Sequence, residues 1–149
     1  MATQIAAHAV LDMIGATARQ DDLSAKPLGS DAYSSQALFD LEMDTVFRHG
    51  WVCVGREDEF RKPGDYVALE HGHVPLLIVK QKSGAIEALI NICSHRLAPV
   101  AEGRGNVPRF TCPYHAWTYD RDGTLLAAPR MQPDLDKASC NLRKGKIET

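Results

Sequence analysis

Two short segments of this 149-residue chain each combine a cysteine with a histidine. Residues 93–95 have the pattern Cys-x-His, and residues 112–115 have the pattern Cys-x-x-His. Sixteen residues separate the first histidine from the second cysteine. Thiolates and imidazoles are ligands for zinc and for iron–sulfur clusters. The candidate ligands are therefore Cys93, His95, Cys112 and His115.

The spacing of these four residues bears on which metal they would hold. Zinc fingers usually pair cysteine with cysteine and histidine with histidine, on either side of a helix-forming stretch. Here each pair is mixed, and the residues between the pairs include two glycines and two prolines. A Rieske [2Fe–2S] cluster takes two cysteines on one iron and two histidines on the other. The pattern favours a Rieske cluster, with a structural zinc module as the alternative.

Predicted strands lie directly before both pairs. Short apolar runs separated by turn residues predict a mainly β fold, an antiparallel sandwich preceded by one helix. Ser34 or Ser35 can cap that helix over residues 34–49, and Gly50 ends it. A loop that leaves a strand can hold a thiolate and an imidazole in fixed positions. The predicted strands are residues 66–69, 74–80, 86–92, 110–111, 117–119 and 125–127.

Composition and the remaining segments exclude several classes of protein. A net charge of −2 and no basic cluster argue against nucleic-acid binding. No apolar run reaches membrane-spanning length and no secretory signal is present, so we expect a cytoplasmic protein with reduced cysteines. Residues 1–32 are predicted to form a flexible arm with a short helix near residues 4–14. Cys53, in the apolar run 51–54, is predicted to be buried, and Cys140 has no assigned role.

The residues around both pairs resemble a known family. The segments CSHR and CPYHAWTYDRDG are similar to the Rieske domain of the large (alpha) subunits of Rieske non-haem iron oxygenases, the aromatic-ring-hydroxylating dioxygenases. Residues 51–56 resemble the first strand of that domain, and residues 63–66 resemble its next turn. The resemblance covers residues 33–149, with the β-domain at 50–149. Leu97 departs from it, because the family usually has a small residue there.

The resemblance implies a fold like that of the Rieske iron–sulfur protein, with two cluster-binding loops. It implies that Cys93 and Cys112 hold an inner iron, and that His95 and His115 hold an outer iron near the surface. The loops lack the extra cysteines of respiratory Rieske proteins, which implies a potential toward the low end of the Rieske range, about −150 mV. Candidate residues beside the cluster are Arg96, for an ion pair or a subunit contact; Tyr114; and Trp117, for core packing or tuning.

The resemblance also implies a function. Electrons would pass from a ferredoxin or reductase to a mononuclear iron in a catalytic domain or in a neighbouring oxygenase subunit. Such an iron needs two histidines and a carboxylate, and the four remaining histidines lack convincing ligand spacing. We therefore expect no catalytic residues here and a chain truncated before the catalytic domain. A stand-alone Rieske ferredoxin is the alternative, and the predicted helix 34–49 favours the oxygenase subunit.

Overall fold

The computed structural model describes residues 6–149. The chain divides into two compact units, Met1–Val52 and Cys53–Thr149. The described part of the first unit is helical, and the second unit contains all the strands. Within residues 6–149, no helix has the length and apolar character needed to cross a membrane. Residues 4 and 5, with which the predicted N-terminal helix begins, lie outside the described residues.

The first unit contains the short N-terminal helix that the sequence predicted, with a later end. Helix α1, Ala7–Ala18, overlaps the helix predicted near residues 4–14 and extends beyond it in the segment that was predicted to be a flexible arm. It packs against a later helix, α3, which spans Gln36–Glu42. Val10 of α1 and Leu38 of α3 are both nearly inaccessible to solvent. Apolar burial of this kind stabilises a short helix that would be marginal in isolation. The other helical segments described in this unit are α2, Asp31–Ser34, and a π-helical turn, Met43–Phe47, which directly follows α3.

The helix predicted at residues 34–49 is present with different bounds. Ser35 has an extended backbone, and its hydroxyl accepts a hydrogen bond from the Leu38 N–H at 3.3 Å. This N-cap separates α2 from α3, because a capping residue does not take helical angles. The Gly50 N–H donates to the Val46 carbonyl at 2.7 Å, just after the last helical residue. The division into units places this helix with the N-terminal segment rather than with the β-domain.

The second unit consists of two antiparallel sheets, as the predicted fold class requires. The larger sheet has the strand order β3-β2-β1-β4, and the smaller has the order β5-β6-β7. The strands are β1, Asp65–His71; β2, Val74–Lys80; β3, Ile86–Ile90; β4, Arg104–Asn106; β5, Phe110–Thr111; β6, Thr118–Tyr119; and β7, Leu125–Ala127. Residues 51–54, which resemble a family strand, form none here, and Cys53 is exposed rather than buried.

Strand β2 is buried on both faces. Because side chains alternate along a strand, Leu77 and Val79 enter one apolar core, whereas Ile78 enters a second. The first core also contains Tyr119 of the smaller sheet, so it joins the two sheets. Both candidate ligand cysteines belong to this first core, which fixes the start of each loop. The other buried members of the first core are Leu89, Val100, Phe110, Trp117, Leu125 and Leu142.

Backbone pairing around β1 and β3 completes the larger sheet. Gly72 and His73 both have positive φ, the geometry of the two-residue turn that joins β1 to β2. At the edge of the sheet formed by β3, the Ile90 N–H donates to the Arg143 carbonyl and the Gly145 N–H donates to the Ala88 carbonyl, both at 2.8 Å. The C-terminal residues therefore cover the outer edge of β3, next to the point where the first Cys–His loop leaves the sheet.

Candidate metal centre

The two Cys–His loops adopt the same backbone turn. The Leu97 N–H donates to the Cys93 carbonyl, and the Ala116 N–H donates to the Cys112 carbonyl, both at 3.0 Å. Each loop is therefore one helix-like turn that is closed by the fourth residue after its cysteine. The histidine is the second residue after the cysteine in one loop and the third in the other. A further bond closes each turn at 2.8 Å, from Cys93 N–H to the Ala98 carbonyl and from Cys112 N–H to the Trp117 carbonyl.

The base of the first loop is fixed by a buried amide. Asn91 is 5% exposed. Its side-chain oxygen accepts hydrogen bonds from the Val100 and Ala101 N–H groups, and its NH₂ donates to the Ala101 carbonyl at 2.8 Å. These three bonds connect the end of β3 to the far end of the loop. The orientation of Cys93 and His95 is therefore determined by the sheet.

The two cysteine thiols lie side by side in the core. Cys93 and Cys112 are 1% and 2% exposed, and neither forms a disulfide. Burial raises the pKa of the Cys112 thiol, and the adjacent Cys93 thiol adds to this effect. The backbone N–H groups of Tyr114 and His115 oppose it, because they favour a thiolate and lower the Cys112 pKa. A metal ion displaces thiol protons, so this is a site in which paired thiolates would form on metal binding.

The two imidazoles also form a pair. The rings of His95 and His115 have centroids 4.7 Å apart and are inclined at 72°. The Nδ1 atom of each ring is buried and has no hydrogen-bond partner among the described residues. Burial lowers the His115 pKa, as do the nearby positive charges of His95, Arg96 and Arg130. This keeps the His115 ring neutral, which is the form that binds a metal.

This donor set fits a two-iron cluster better than a single zinc ion. Two thiols are paired, two imidazoles are paired, and both Nδ1 atoms lack the partner that a bound iron would provide. A zinc site places all four ligands around one ion, whereas a Rieske cluster divides its ligands between two irons.

Tyr119 is a site residue that the sequence did not indicate. It is fully buried, and its hydroxyl lies 3.2 Å from the Cys93 Sγ while accepting a bond from the Ser94 N–H at 3.1 Å. Burial raises the Tyr119 pKa far above its usual range, so the hydroxyl keeps its proton. It is then the donor to a Cys93 thiolate. Its position two residues after Trp117, on the same face, is the signal that would have indicated it.

The three other residues predicted beside the cluster lie around the histidines. Trp117 is 2% exposed and stacks on His95, with ring centroids 4.9 Å apart and 6° between the planes. Tyr114 is 61% exposed, and its ring centroid lies 4.2 Å from that of His115. Arg96 is exposed and makes no ion pair within residues 6–149, although its charge lowers the His115 pKa.

The residues that close the two turns have a left-handed backbone. Leu97 has φ = 58° and Ala116 has φ = 59°, a region that favours glycine. We expect Leu97→Gly to stabilise the chain by about 1 kcal/mol, because the left-handed conformation is strained for a side chain with a Cβ. For a chain of this length, that gain raises the thermal midpoint by about 2–4 °C, which circular dichroism would measure.

Leu97→Ala is the matched control for this stabilisation. Leu97 is 75% exposed, so alanine removes little packing and keeps the strained Cβ. A glycine variant no more stable than the alanine variant would show that the positive φ carries no cost here.

A profile of the Rieske [2Fe–2S] domain matches residues 50–147 of this sequence. The chain belongs to the Rieske [2Fe–2S] domain family. This match confirms the family and the type of cofactor predicted from the Cys–His pairs, and no observation favours a zinc module. The relatives of this Rieske chain are alpha or large subunits of oxygenases, which confirms the resemblance to that branch of the family.

Three comparisons illustrate the similarity. The alpha subunit of chlorobenzene dioxygenase from Cupriavidus sp. strain PS12 is 36% identical over 121 residues, which are 78% of this chain and 27% of that protein. The large subunit of anthranilate 1,2-dioxygenase from Acinetobacter baylyi is 34% identical over 124 residues, covering 80% of this chain and 26% of that subunit. The crystal structure of naphthalene 1,2-dioxygenase from Rhodococcus sp. superposes with a TM-score of 0.77 at 27% identity. The match covers 93% of this chain and 31% of that one. The Rieske chain thus spans about a quarter of the length of these curated relatives.

Proposed function

We propose that this chain transfers single electrons through a Rieske [2Fe–2S] cluster. Cys93 and Cys112 hold one iron, and His95 and His115 hold the other. The observation that carries the proposal is the arrangement of two adjacent buried thiols beside two imidazoles whose buried Nδ1 atoms lack partners. The cluster, when bound, supplies a one-electron couple.

The residues of the chain give the site two different sides. The thiols lie in the core that joins the two sheets, where water is excluded. The imidazoles of His95 and His115 are partly exposed. Electrons would therefore enter and leave on the histidine side. The Tyr119 hydroxyl keeps its proton and donates a hydrogen bond to the Cys93 sulfur. The two turns are anchored to the sheet and hold all four metal-binding side chains in place, so little rearrangement accompanies electron transfer.

Around the histidines the surface carries features of a docking site. Leu97 and Tyr114 are large and exposed, and Arg96 and Arg130 bring positive charge close to His115. We place a protein partner with an acidic rim on this surface. By analogy with the oxygenase relatives, the donor is a ferredoxin or reductase. The acceptor is a mononuclear non-haem iron in a catalytic domain or in a neighbouring oxygenase subunit. The four unpaired cysteines suit a reducing compartment such as the cytoplasm.

Anaerobic purification of the chain tests this function. We expect about two irons and two sulfides per chain, and full reduction by one electron. Stopped-flow mixing with a reduced ferredoxin should then bleach the visible absorption, at a rate that falls as salt screens the charges at the docking surface. Zinc in place of iron, or a cluster that accepts no electron from any ferredoxin or reductase, would exclude the proposal.

A further inference from the structure

Besides the other imidazole, each histidine of the proposed cluster site contacts one further aromatic ring, and the two arrangements differ. Trp117 lies face to face with His95, with 6° between the ring planes, and it comes from the opposite loop. Tyr114 is inclined at 33° to His115 and directly precedes it in the same loop. The Trp117 side chain is buried, whereas Tyr114 is 61% exposed. The His95 imidazole therefore contacts a buried ring from the opposite loop, whereas the His115 imidazole contacts an exposed ring from its own loop.

The indole of Trp117 is held by packing. Trp117 is part of the core that contains both cysteines and Tyr119. Its Nε1 atom is buried and has no hydrogen-bond partner among the described residues. A buried tryptophan usually pairs its N–H, and leaving a donor unpaired costs free energy. Among residues 6–149 no hydrogen bond therefore explains the position of this ring, which is set by core packing and by its parallel contact with His95.

The stack also restricts the imidazole. Rotation of the His95 ring about its χ2 angle would drive its edge into the indole, which the core prevents from moving aside. Among the described residues His115 has no buried ring stacked on it in this way, because Tyr114 is exposed and inclined at 33° to it. The stack thus fixes the plane in which the His95 Nδ1 lies, and this atom is one of the two that need a partner.

We propose that Trp117 is a positioning residue that fixes the His95 ring for iron binding through its stacked face, and that His115 is the more adaptable ligand. This inference rests on the proposed cluster site. It assigns an unequal role to two ligands of the same type. It also assigns the effect of Trp117 to its aromatic face and not to its N–H group.

Three variants of the cluster-loaded full chain test this assignment. Trp117→Leu removes the ring, Trp117→Phe keeps a stacking ring and removes the N–H, and Tyr114→Leu removes the neighbour of His115. With ¹⁵N-labelled histidine, pulsed EPR of the reduced chain reports the coupling of each histidine nitrogen to the cluster. Loss of iron to a chelator reports how firmly the cluster is held.

We expect Trp117→Leu to change one of the two nitrogen couplings and to weaken iron retention about 10-fold, the low end of the effect of residues that orient metal ligands. Trp117→Phe should retain both couplings and hold iron as the wild type does. Tyr114→Leu should leave the coupling that responds to Trp117→Leu unchanged.

Several outcomes would overturn the proposal. Wild-type couplings in Trp117→Leu would show that Trp117 only fills the core, and altered couplings in Trp117→Phe would assign the effect to the N–H group. If the leucine variant does not fold, the phenylalanine variant still tests the proposal, because altered couplings in that variant would overturn it. Failure of the proposed function is distinguishable, because it shows in the wild-type chain itself, which would then hold no cluster or a cluster that accepts no electron.

Discussion

Replacing Cys93 or Cys112 with alanine is expected to abolish cluster binding. In the proposed site each cysteine would supply one of only two protein ligands to its iron, and alanine offers no donor in exchange. Because metal-binding free energy in small metal domains is also folding free energy, we expect the thermal midpoint to fall together with the iron and sulfide content. Metal analysis, visible absorption and circular dichroism of the purified variants would measure both losses.

Cys140→Ala is the matched control for the ligand variants. Cys140 is partly buried and packs against the same core as the two proposed ligand cysteines, so its replacement tests the effect of losing a packed thiol alone. We expect this variant to keep full iron and sulfide content. A Cys93→Ala chain that retained its cluster, or a Cys140→Ala chain that lost it, would contradict the assignment of the ligands.

The strands that the sequence predicted best are those whose side chains carry their own pattern. The bounds predicted for β2, β5 and β7 match the structure, because apolar runs between turn residues mark them directly. Strand β4 was missed because its residues, Arg104–Asn106, are all exposed and include no apolar side chain. It is a strand only because it pairs with β1, and no local pattern reports such pairing.

The helices ahead of the β-domain show a different limit. Apolar spacing predicted one helix at residues 34–49, but the extended backbone of Ser35 separates α2 from α3. Of the two serines predicted as possible caps, Ser35 is the N-cap of α3, whereas Ser34 is the last residue of α2. The sequence predicted helix α1 only near residues 4–14, because its apolar spacing is weak. Packing against α3, which the sequence pattern does not report, stabilises the helix.

In the candidate site, residue type and spacing led to the four proposed ligands, which lie together in the structure, but they did not indicate all of the surrounding residues. Leu97 and Ala116 are equivalent positions of two identical turns, a relation that the unequal Cys–His spacings conceal. Tyr119 was missed because its role depends on a contact with Cys93 across 26 residues of sequence. Such contacts are set by how the smaller sheet packs on the larger one, so they follow from the fold and not from any motif.

Tyr119→Phe is expected to lower the reduction potential of the cluster by about 60 mV, which for one electron corresponds to about 1.4 kcal/mol. The Tyr119 hydroxyl lies 3.2 Å from Cys93 Sγ. A donor at this position stabilises negative charge on the sulfur, and that charge is larger after reduction than before it. Removing the donor therefore disfavours the reduced state and lowers the potential. Protein-film voltammetry of the cluster-loaded chain would measure the shift.

Tyr66→Phe is the matched control for this shift. The Tyr66 hydroxyl donates to the Glu102 carbonyl at 3.3 Å, and its ring packs against the same core. It makes no hydrogen bond to either cysteine sulfur within residues 6–149. The same chemical change should therefore leave the potential within a few millivolts of the wild-type value. Equal shifts in both variants would mean that the potential responds to general loosening of the core. If Tyr119→Phe has the wild-type potential, the Tyr119 hydroxyl does not donate a hydrogen bond to the Cys93 sulfur. A fall confined to Tyr119→Phe would establish that a residue of the smaller sheet tunes the reduction potential of the cluster through Cys93, which follows a strand of the larger sheet.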